Sequence, residues 1–220
     1  MIPLAVVLLT YQRTEYALRT VQTAVNNLRY EGSVQWYIAD DGSDGAHVKA
    51  LVDEIEMTAY MPEPLDWHSE KQGYGANANA AAQLLSDDYP VTLWLEDDWA
   101  LTRPFNLTPY VHLLETNHDV GMVRLGHMPV GQHMDSVGYD GHMYLNIHKS
   151  QQYAYSGNPH LKHRRFFEQH GGWPEGLDPG KTELAYDEQV RSIDGPHIWW
   201  PLAIGDSPPW GHIGTVKSYG

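Results

Sequence analysis

The chain has 220 residues, 42% of them hydrophobic and 19% charged, a balance that fits one fair-sized globular domain and excludes a disordered chain. Aspartate and glutamate outnumber lysine and arginine 28 to 14, for a formal net charge of -14, so the surface as a whole is a poor wrapper of nucleic acid or of an anionic membrane. Cysteine is absent, which excludes disulfides, thiolate zinc sites, iron–sulfur clusters and a cysteine nucleophile, and leaves oxygen and imidazole as metal donors.

Leu4 to Leu9 is a continuous apolar run that reads as a central strand covered on both faces. It is too short to span a bilayer and no basic residue precedes it as in a secretory leader, so a soluble cytoplasmic protein without stable membrane insertion is expected. From Thr14 to Arg29 the apolar positions recur at three- and four-residue spacing, a helix with Thr14 available as its N-cap. Val34 to Ala39 reads as a second strand, ended by the turn-forming run from Asp40 to Gly45, and Val48, Leu51, Val52 and Ile55 mark a second helix.

The alternation continues with an Ala-rich helix from Gly73 to Ser86, a strand from Val91 to Leu95 and a helix from Val111 to Asn117. After Val120 to Leu125 the texture changes: Gly126 to His142, rich in Gly, His and Met, shows no regular period and reads as a mobile loop or lid. Helices are expected at Pro159 to His170 and Glu183 to Ile193, then a strand at Ile198 to Ile204 and a Pro/Trp/Gly-rich tail. A strand–helix alternation of this kind implies a mainly parallel sheet with right-handed crossovers and a ligand site beyond the carboxyl ends of its strands. We expect a single α/β domain over residues 1–220.

Three acids, Glu96-Asp97-Asp98, directly follow an apolar strand. Adjacent carboxylates at a buried edge repel unless a proton or a cation relieves them, and Mg2+ or Mn2+ is the natural relief because it prefers oxygen ligands and commonly bridges protein carboxylates to substrate phosphates. Asp40-Asp41 ends an earlier strand, and parallel packing would set it on the same sheet edge. Taken singly, an acidic triplet also fits a solvated turn and Asp-Asp-Gly an ordinary one.

In this order and spacing the segments resemble a family 2 glycosyltransferase of GT-A (Rossmann-like) fold, and the resemblance covers most of the chain. Leu9-Thr10-Tyr11-Gln12-Arg13 is similar to the family's opening segment, with Gln12 where Asn is usual, which implies that Thr10, Tyr11 and Arg13 line a nucleotide pocket. Asp40-Asp41-Gly42-Ser43 matches its Asp-Asp-Gly-Ser element, whose acid is implied to contact the nucleobase. Lys71 to Asn79, with Lys71 replacing a common Asn, resembles the glycine-containing helix entry at the sugar nucleotide and adds Lys71, Gly73 and Asn79 to the donor site. Glu96-Asp97-Asp98 stands in the place of the Asp-x-Asp metal element, so Asp98 and Glu96 are implied metal ligands and Asp97 a donor contact.

Farther along, the run His170 to Gly176 resembles the family's Gly-Gly-aromatic turn, and Tyr186-Asp187-Glu188 matches its acidic acceptor-side element with Tyr186 in the Glu position. The implied catalytic base is Asp187, with Glu188 as its rival. His212 is implied as a third metal ligand, and Gly172, Trp173 and Trp210 as acceptor contacts, while Trp199 and Trp200 fit core packing. The resemblance thus implies a donor-binding half at 1–100, an acceptor-binding half at 101–220, and inverting transfer from a nucleotide sugar, a UDP-sugar favoured, to a hydroxyl acceptor. Glycan, lipid, protein and a hydroxylated nucleobase of DNA are the acceptor classes left open; nucleic acid enters only in this role. A sugar-1-phosphate nucleotidyltransferase is disfavoured because Thr10 to Glu15 has no Gly to admit a phosphate. A receiver-like docking domain would leave the later motifs without purpose, and a non-catalytic nucleotide-sugar-binding relative remains an alternative. Lys162-His163-Arg164-Arg165 is the one dense basic cluster, read as an ordinary basic helix face or as a grip for an anionic acceptor.

Overall fold

Every residue of Leu4–Thr10 is buried, as an apolar run with neighbouring strands on both sides requires, and this segment is the first strand, β1. The computed structural model describes residues 1–57, 70–85, 88–127, 133–203 and 208–215 in full and 62–65 and 204 by their backbone. After β1 come α1 (Thr14–Asn27), the short β2 (Leu28–Arg29), β3 (Val34–Asp40), α2 (Gly45–Glu56), β4 (Pro62–Leu65), α3 (Tyr74–Leu85) and β5 (Val91–Glu96). The second half holds β6 (Trp99–Leu101), β7 (Phe105–Asn106), α4 (Thr108–Thr116), β8 (Val120–Arg124), β9 (Met134–Tyr139) and β10 (His142–Ile147). It continues through β11 (His160–His163), α5 (Arg164–His170), α6 (Pro179–Ser192), β12 (His197–Pro201), a 3-10 turn at Leu202–Ile204 and β13 (Trp210–His212).

Nine of these strands form one sheet in the order β4-β3-β1-β5-β11-β8-β12-β10-β9. The pairings give β4, β3, β1, β5, β8, β12 and β9 one direction and β11 and β10 the other, so the expected mainly parallel α/β sheet is present. Helix boundaries follow local chemistry. Asp44 caps α2 by accepting from the His47 amide at 2.9 Å, and Asp178 caps α6 by accepting from the Lys181 amide at 3.0 Å, with Pro179 opening the helix. Thr14, expected as the cap of α1, lies inside its first turn; the cap position belongs to Arg13, whose side chain does not cap the helix.

The structure departs from the sequence expectations in several elements: α1 ends at Asn27, before the strand β2, and α4 starts three residues before Val111. Part of the expected lid, Gly126 to His142, is strand: β9 pairs antiparallel with β10, and Asp140 and Gly141, at φ 46° and 75°, close the two-residue turn between them. This is the Asp-Gly hairpin signal; residues 128–132 lie outside the described residues. The expected helix from Pro159 begins as a strand, β11, which inserts antiparallel between β5 and β8 before α5 starts at Arg164. Helix α6 starts four residues before Glu183, and the last expected strand ends at Pro201. Ser86, the last residue of the expected third helix, lies outside the described residues.

Insertion of β11 also removes the basic face expected at Lys162 to Arg165. The Lys162 side chain is 1% exposed, with Nζ 4.1 Å from the Trp173 ring centre and 4.3 Å from that of Phe167, and the rings of Trp94, Tyr155, Phe166 and Tyr186 within 5.6 Å. Among the described residues Nζ has no hydrogen-bond partner. Arg165 is spent on the carbonyls of Leu114 and Val120, at 2.7 and 2.6 Å. Ring faces attract an ammonium, but burial costs more, and it holds the lysine well below its ordinary pKa.

Lys162→Met, similar in length and without a charge to desolvate, therefore raises stability by about 1–3 kcal/mol at neutral pH. Because the folded-state pKa is depressed from 10.5, the unfolded chain binds the extra proton, so the gain is largest at low pH and shrinks as pH approaches that value. Urea unfolding at several pH values checks this; equal or lower stability of the variant at pH 6 refutes it.

Candidate functional site

Parallel register brings three strand ends together, with Thr10 paired to Asp40 and Leu9 to Glu96. The two acidic segments therefore flank β1 at the carboxyl edge of the sheet. They open onto a cleft of about 540 Å³ bordered by Thr10, Tyr11, Arg13, Tyr74, the acids 96–98 and the Asp178–Gly180 start of α6, a volume within the usual range of ligand pockets.

On the β3 side the two aspartates divide the work. Asp41 is buried and accepts from the backbone amides of Gln72 at 2.8 Å and Gly73 at 3.0 Å. It thus ties the entry of α3 to the sheet, and the chains approach so closely that a Cβ on Gly42, itself at φ +87°, would stand 2.7 Å from the Lys71 amide nitrogen. Asp40 accepts from the amides of Gly42 and Ser43 through Oδ2, at 3.1 and 2.7 Å, while its buried Oδ1 makes no hydrogen bond among the described residues. His47, which sequence reading missed, lies 3.7 Å from that oxygen and bridges the hydroxyls of Thr10 and Thr14 at 2.9 and 2.8 Å. Burial lowers its pKa against the pull of Asp40 and Asp44. Lys71 Nζ lies 4.4 Å from the ring centre of Tyr11, which borders the cleft.

On the β5 side Asp97 accepts from Thr10 Oγ1 at 3.1 Å and the Tyr11 amide at 3.3 Å, and Arg13 bridges Asp97 and Asp98. Burial pushes the Asp97 carboxyl up to about 6 in spite of Arg13. Burial works against the guanidinium too, but the two acids outweigh it and hold its pKa above the ordinary value. Asp98 is buried; its Oδ2 meets Arg13 Nη1 at 2.8 Å and His212 Nε2 at 3.3 Å. Antiparallel pairing of β13 with β6 delivers His212 there, opposite Trp99, and the tail packs so closely that a Cβ on Gly214 would stand 2.4 Å from Asp98 Oδ2. Asp98 Oδ1 is buried without a hydrogen-bond partner among the described residues. An unsatisfied carboxylate oxygen beside an imidazole is a donor set that fits Mn2+ or Mg2+ with the remaining positions left to phosphate and water.

Glu96 sits deeper in the cleft, hydrogen-bonded with Tyr74, and a Cβ on Gly157 would come within 2.7 Å of its Oε1. Burial, then the charges of Asp98 and Glu183, raise its pKa to about 8. A carboxyl raised above its unfolded value near 4.5 contributes stability that is fully present below that value and is lost as pH rises through about 8. Glu96→Gln abolishes this loss; because the carboxyl keeps some exposure to the cleft, we expect a gain of about 2 kcal/mol at pH 8.5 and none at pH 4. Thermal melts across that range read it as a difference of roughly 4–8 °C that opens with pH, and a pH-independent difference contradicts it.

Asp187 is 1% exposed. Its oxygens accept from the amides of Tyr153 and Tyr155, each at 2.9 Å, and from Arg191 Nε at 2.9 Å. Glu183, one turn nearer the N-terminus of α6 and not singled out by the sequence, accepts through Oε1 from Ser156 Oγ at 3.0 Å and the Gly157 amide at 2.8 Å. Its signal was the one-turn spacing from Asp187. Glu188 faces solvent. Asn79 does not reach the cleft bordering residues; it clamps the Gly-Gly-Trp turn, accepting from the Trp173 amide at 2.8 Å and donating to the Trp173 carbonyl at 2.9 Å. Gly172 is needed there, since a Cβ would lie 2.4 Å from Asn79 Oδ1. Trp173 and Trp210 are buried in the core at 3% and 0% exposure and present no stacking face to an acceptor.

No protein-family model matches the chain, and no curated protein matches it. Solved structures do. The chain is similar to GalNAc-T7 with UDP, GalNAc and Mn2+ at TM-score 0.66 and 14% identity, over 100% of this chain and 45% of that one. It is similar to the mannosyltransferase PcManGT from Pyrobaculum calidifontis, in complex with GDP-Man and Mn2+, at TM-score 0.63 and 13% identity, over 89% and 53% of the two chains. To S. aureus TarS the TM-score is 0.62 and the identity 10%, over 90% of this chain and 36% of that one. The chain thus spans about a third to a half of the length of these neighbours, and at such identities the likeness defines its fold, which is GT-A.

Proposed function

We propose, from the GT-A fold and the acids gathered at its carboxyl edge, that the chain is a metal-dependent inverting glycosyltransferase that moves a sugar from a nucleotide-sugar donor to a hydroxyl acceptor. The observation that carries the reading is Asp98: a buried carboxylate with one unsatisfied oxygen, flanked by Arg13 and His212 at the mouth of a pocket-sized cleft. Asp98 and His212, with Glu96 behind them, would hold Mn2+ or Mg2+, which would supply Lewis-acid stabilisation of the departing diphosphate.

The other steps belong to the chain's own residues. Asp40 Oδ1 offers an acceptor to the nucleoside, beside Thr10 and Tyr11, with Lys71 against the Tyr11 ring. Arg13 balances charge that grows on the β-phosphate ester oxygen as its bond to the anomeric carbon breaks. The acceptor oxygen forms the new bond to that carbon from the opposite face, so an α-linked donor gives a β-linked product. Its proton passes to a carboxylate of α6. The resemblance assigns this to Asp187, but three donors occupy Asp187, and we favour Glu183, whose Oε2 carries none of the contacts that hold Oε1. Asp187 then acts by positioning the 153–157 segment.

Two neighbours are complexes with different bases, UDP and GDP-Man; the motif resemblance favours a UDP-sugar. No helix among the described residues is long and apolar enough to cross a membrane, which suits an acceptor reached from solution, a hydroxylated nucleobase among the candidates. A thermal-shift panel of UDP- and GDP-sugars tests the reading, each with Mn2+, Mg2+ or chelator. We expect a cation-dependent rise with at least one donor. No rise with any of them refutes it.

A further inference from the structure

We propose that His133, Asp135 and His148 form a second metal site, for a divalent transition-metal ion of the zinc class, which clips the open end of the β9–β10 hairpin. The site is independent of the proposed transfer reaction. Pairing of Ile147 with Met134 sets His148 opposite His133, and the His148 amide donates to the His133 carbonyl at 3.3 Å. Asp135 follows His133 by two residues along the extended chain and so lies on the same face. All three side chains therefore emerge together: His148 Nε2 is 2.6 Å from Asp135 Oδ2, the imidazole centres are 4.3 Å apart, and one ligand atom from each residue lies within 4.8 Å of the others. Donors about 2.1 Å from a tetrahedral ion stand about 3.4 Å from one another, so small rotamer adjustments complete the set.

The backbone on both sides is tied down in advance, because the His133 amide donates to Gln151 Oε1 at 2.7 Å and the Gln151 amide to the His148 carbonyl at 3.4 Å. Two imidazoles and one carboxylate select zinc, cobalt or nickel over magnesium or calcium. The ion would join an edge strand, β9, to its one partner among the described strands, β10, at a place where the ladder ends and pairing is weakest. The site is also remote from the cleft. Strands β11, β8, β12 and β10 separate β9 from β5, about 24 Å along the sheet. The cluster lies at the start of β9, whereas the cleft lies at the end of β5, which runs the same way.

The test is zinc titration of the whole protein against a chromophoric chelator, in saturating Mg2+ so that the oxygen-rich cleft is occupied by the ion it suits. We expect one zinc equivalent to bind, and His133→Ala and His148→Ala each to weaken it at least about tenfold, with unchanged circular dichroism since His133 is exposed and His148 only partly buried. Cobalt in place of zinc should give visible absorption that either substitution removes, and hydrogen exchange in β9 should slow when zinc is added. Absence of the zinc equivalent overturns the proposal. So does zinc binding that survives both histidine substitutions.

Discussion

Asp98→Asn lowers donor turnover at least about a hundredfold while leaving the fold intact. The amide oxygen can take the position of Oδ2, which meets both Arg13 and His212, with the nitrogen in the unpartnered Oδ1 position, but the amide has no charge to hold a divalent cation. Stability without metal holds or rises, because the charge of Asp98 is the largest electrostatic contribution to the raised pKa of Glu96 after burial itself. Removing it brings Glu96 down and relieves the cluster. The joint signature is lost turnover, a lost Mn2+-dependent thermal shift and an unchanged or higher melting point in chelator. Nucleoside diphosphate release with Mn2+ measures the first; full turnover in the variant excludes a metal role for Asp98.

Glu183 and Asp187 separate by a different pair of readouts. Glu183→Gln is isosteric and keeps an acceptor for Ser156 and Gly157, so its melting temperature stays near that of the parent, while transfer falls by roughly two orders of magnitude, the usual weight of a general base. Asp187→Asn replaces one of two acceptor oxygens with an NH2 group that confronts the Tyr153 amide, the Tyr155 amide or Arg191. It leaves a buried donor unsatisfied, at about 1–3 kcal/mol. That variant melts several degrees lower, and its activity recovers on cooling as the 153–157 segment re-forms. The reverse pattern, with full stability and lost transfer in Asp187→Asn and normal transfer in Glu183→Gln, returns the base to Asp187.

The carboxyl edge was legible in the sequence because its signals are local: an apolar run that ends in acids or in Asp-Gly identifies a strand end, and parallel topology then brings such ends together. Thr10, Asp40 and Glu96 converge for that reason. Arg13 was legible by position, but its bond to Asp98 depends on residues 85 apart in sequence. Asn79, Trp173 and Trp210 resemble site residues in one dimension; whether each faces a cleft or a core depends on packing between distant segments. Lys162 shows the limit of composition reasoning, since a basic run reads as solvated until an antiparallel strand carries one of its members into an aromatic interior. The hairpin at Asp140-Gly141 carried a readable turn signal, obscured by strands whose polar, half-exposed residues lack strong alternation.

Strand β11 has a consequence for how the chain can be divided. It belongs to the second half of the sequence, yet it pairs with β5, the last strand of the first half, through Trp94, Leu93, Thr92 and Val91. A fragment ending near residue 100 would leave β5 with a row of open amides and carbonyls along an apolar strand, the geometry that recruits other chains. The halves are thus poor candidates for separate expression or for exchange as modules. Native-state hydrogen exchange should find the β5–β11 seam among the last regions to open.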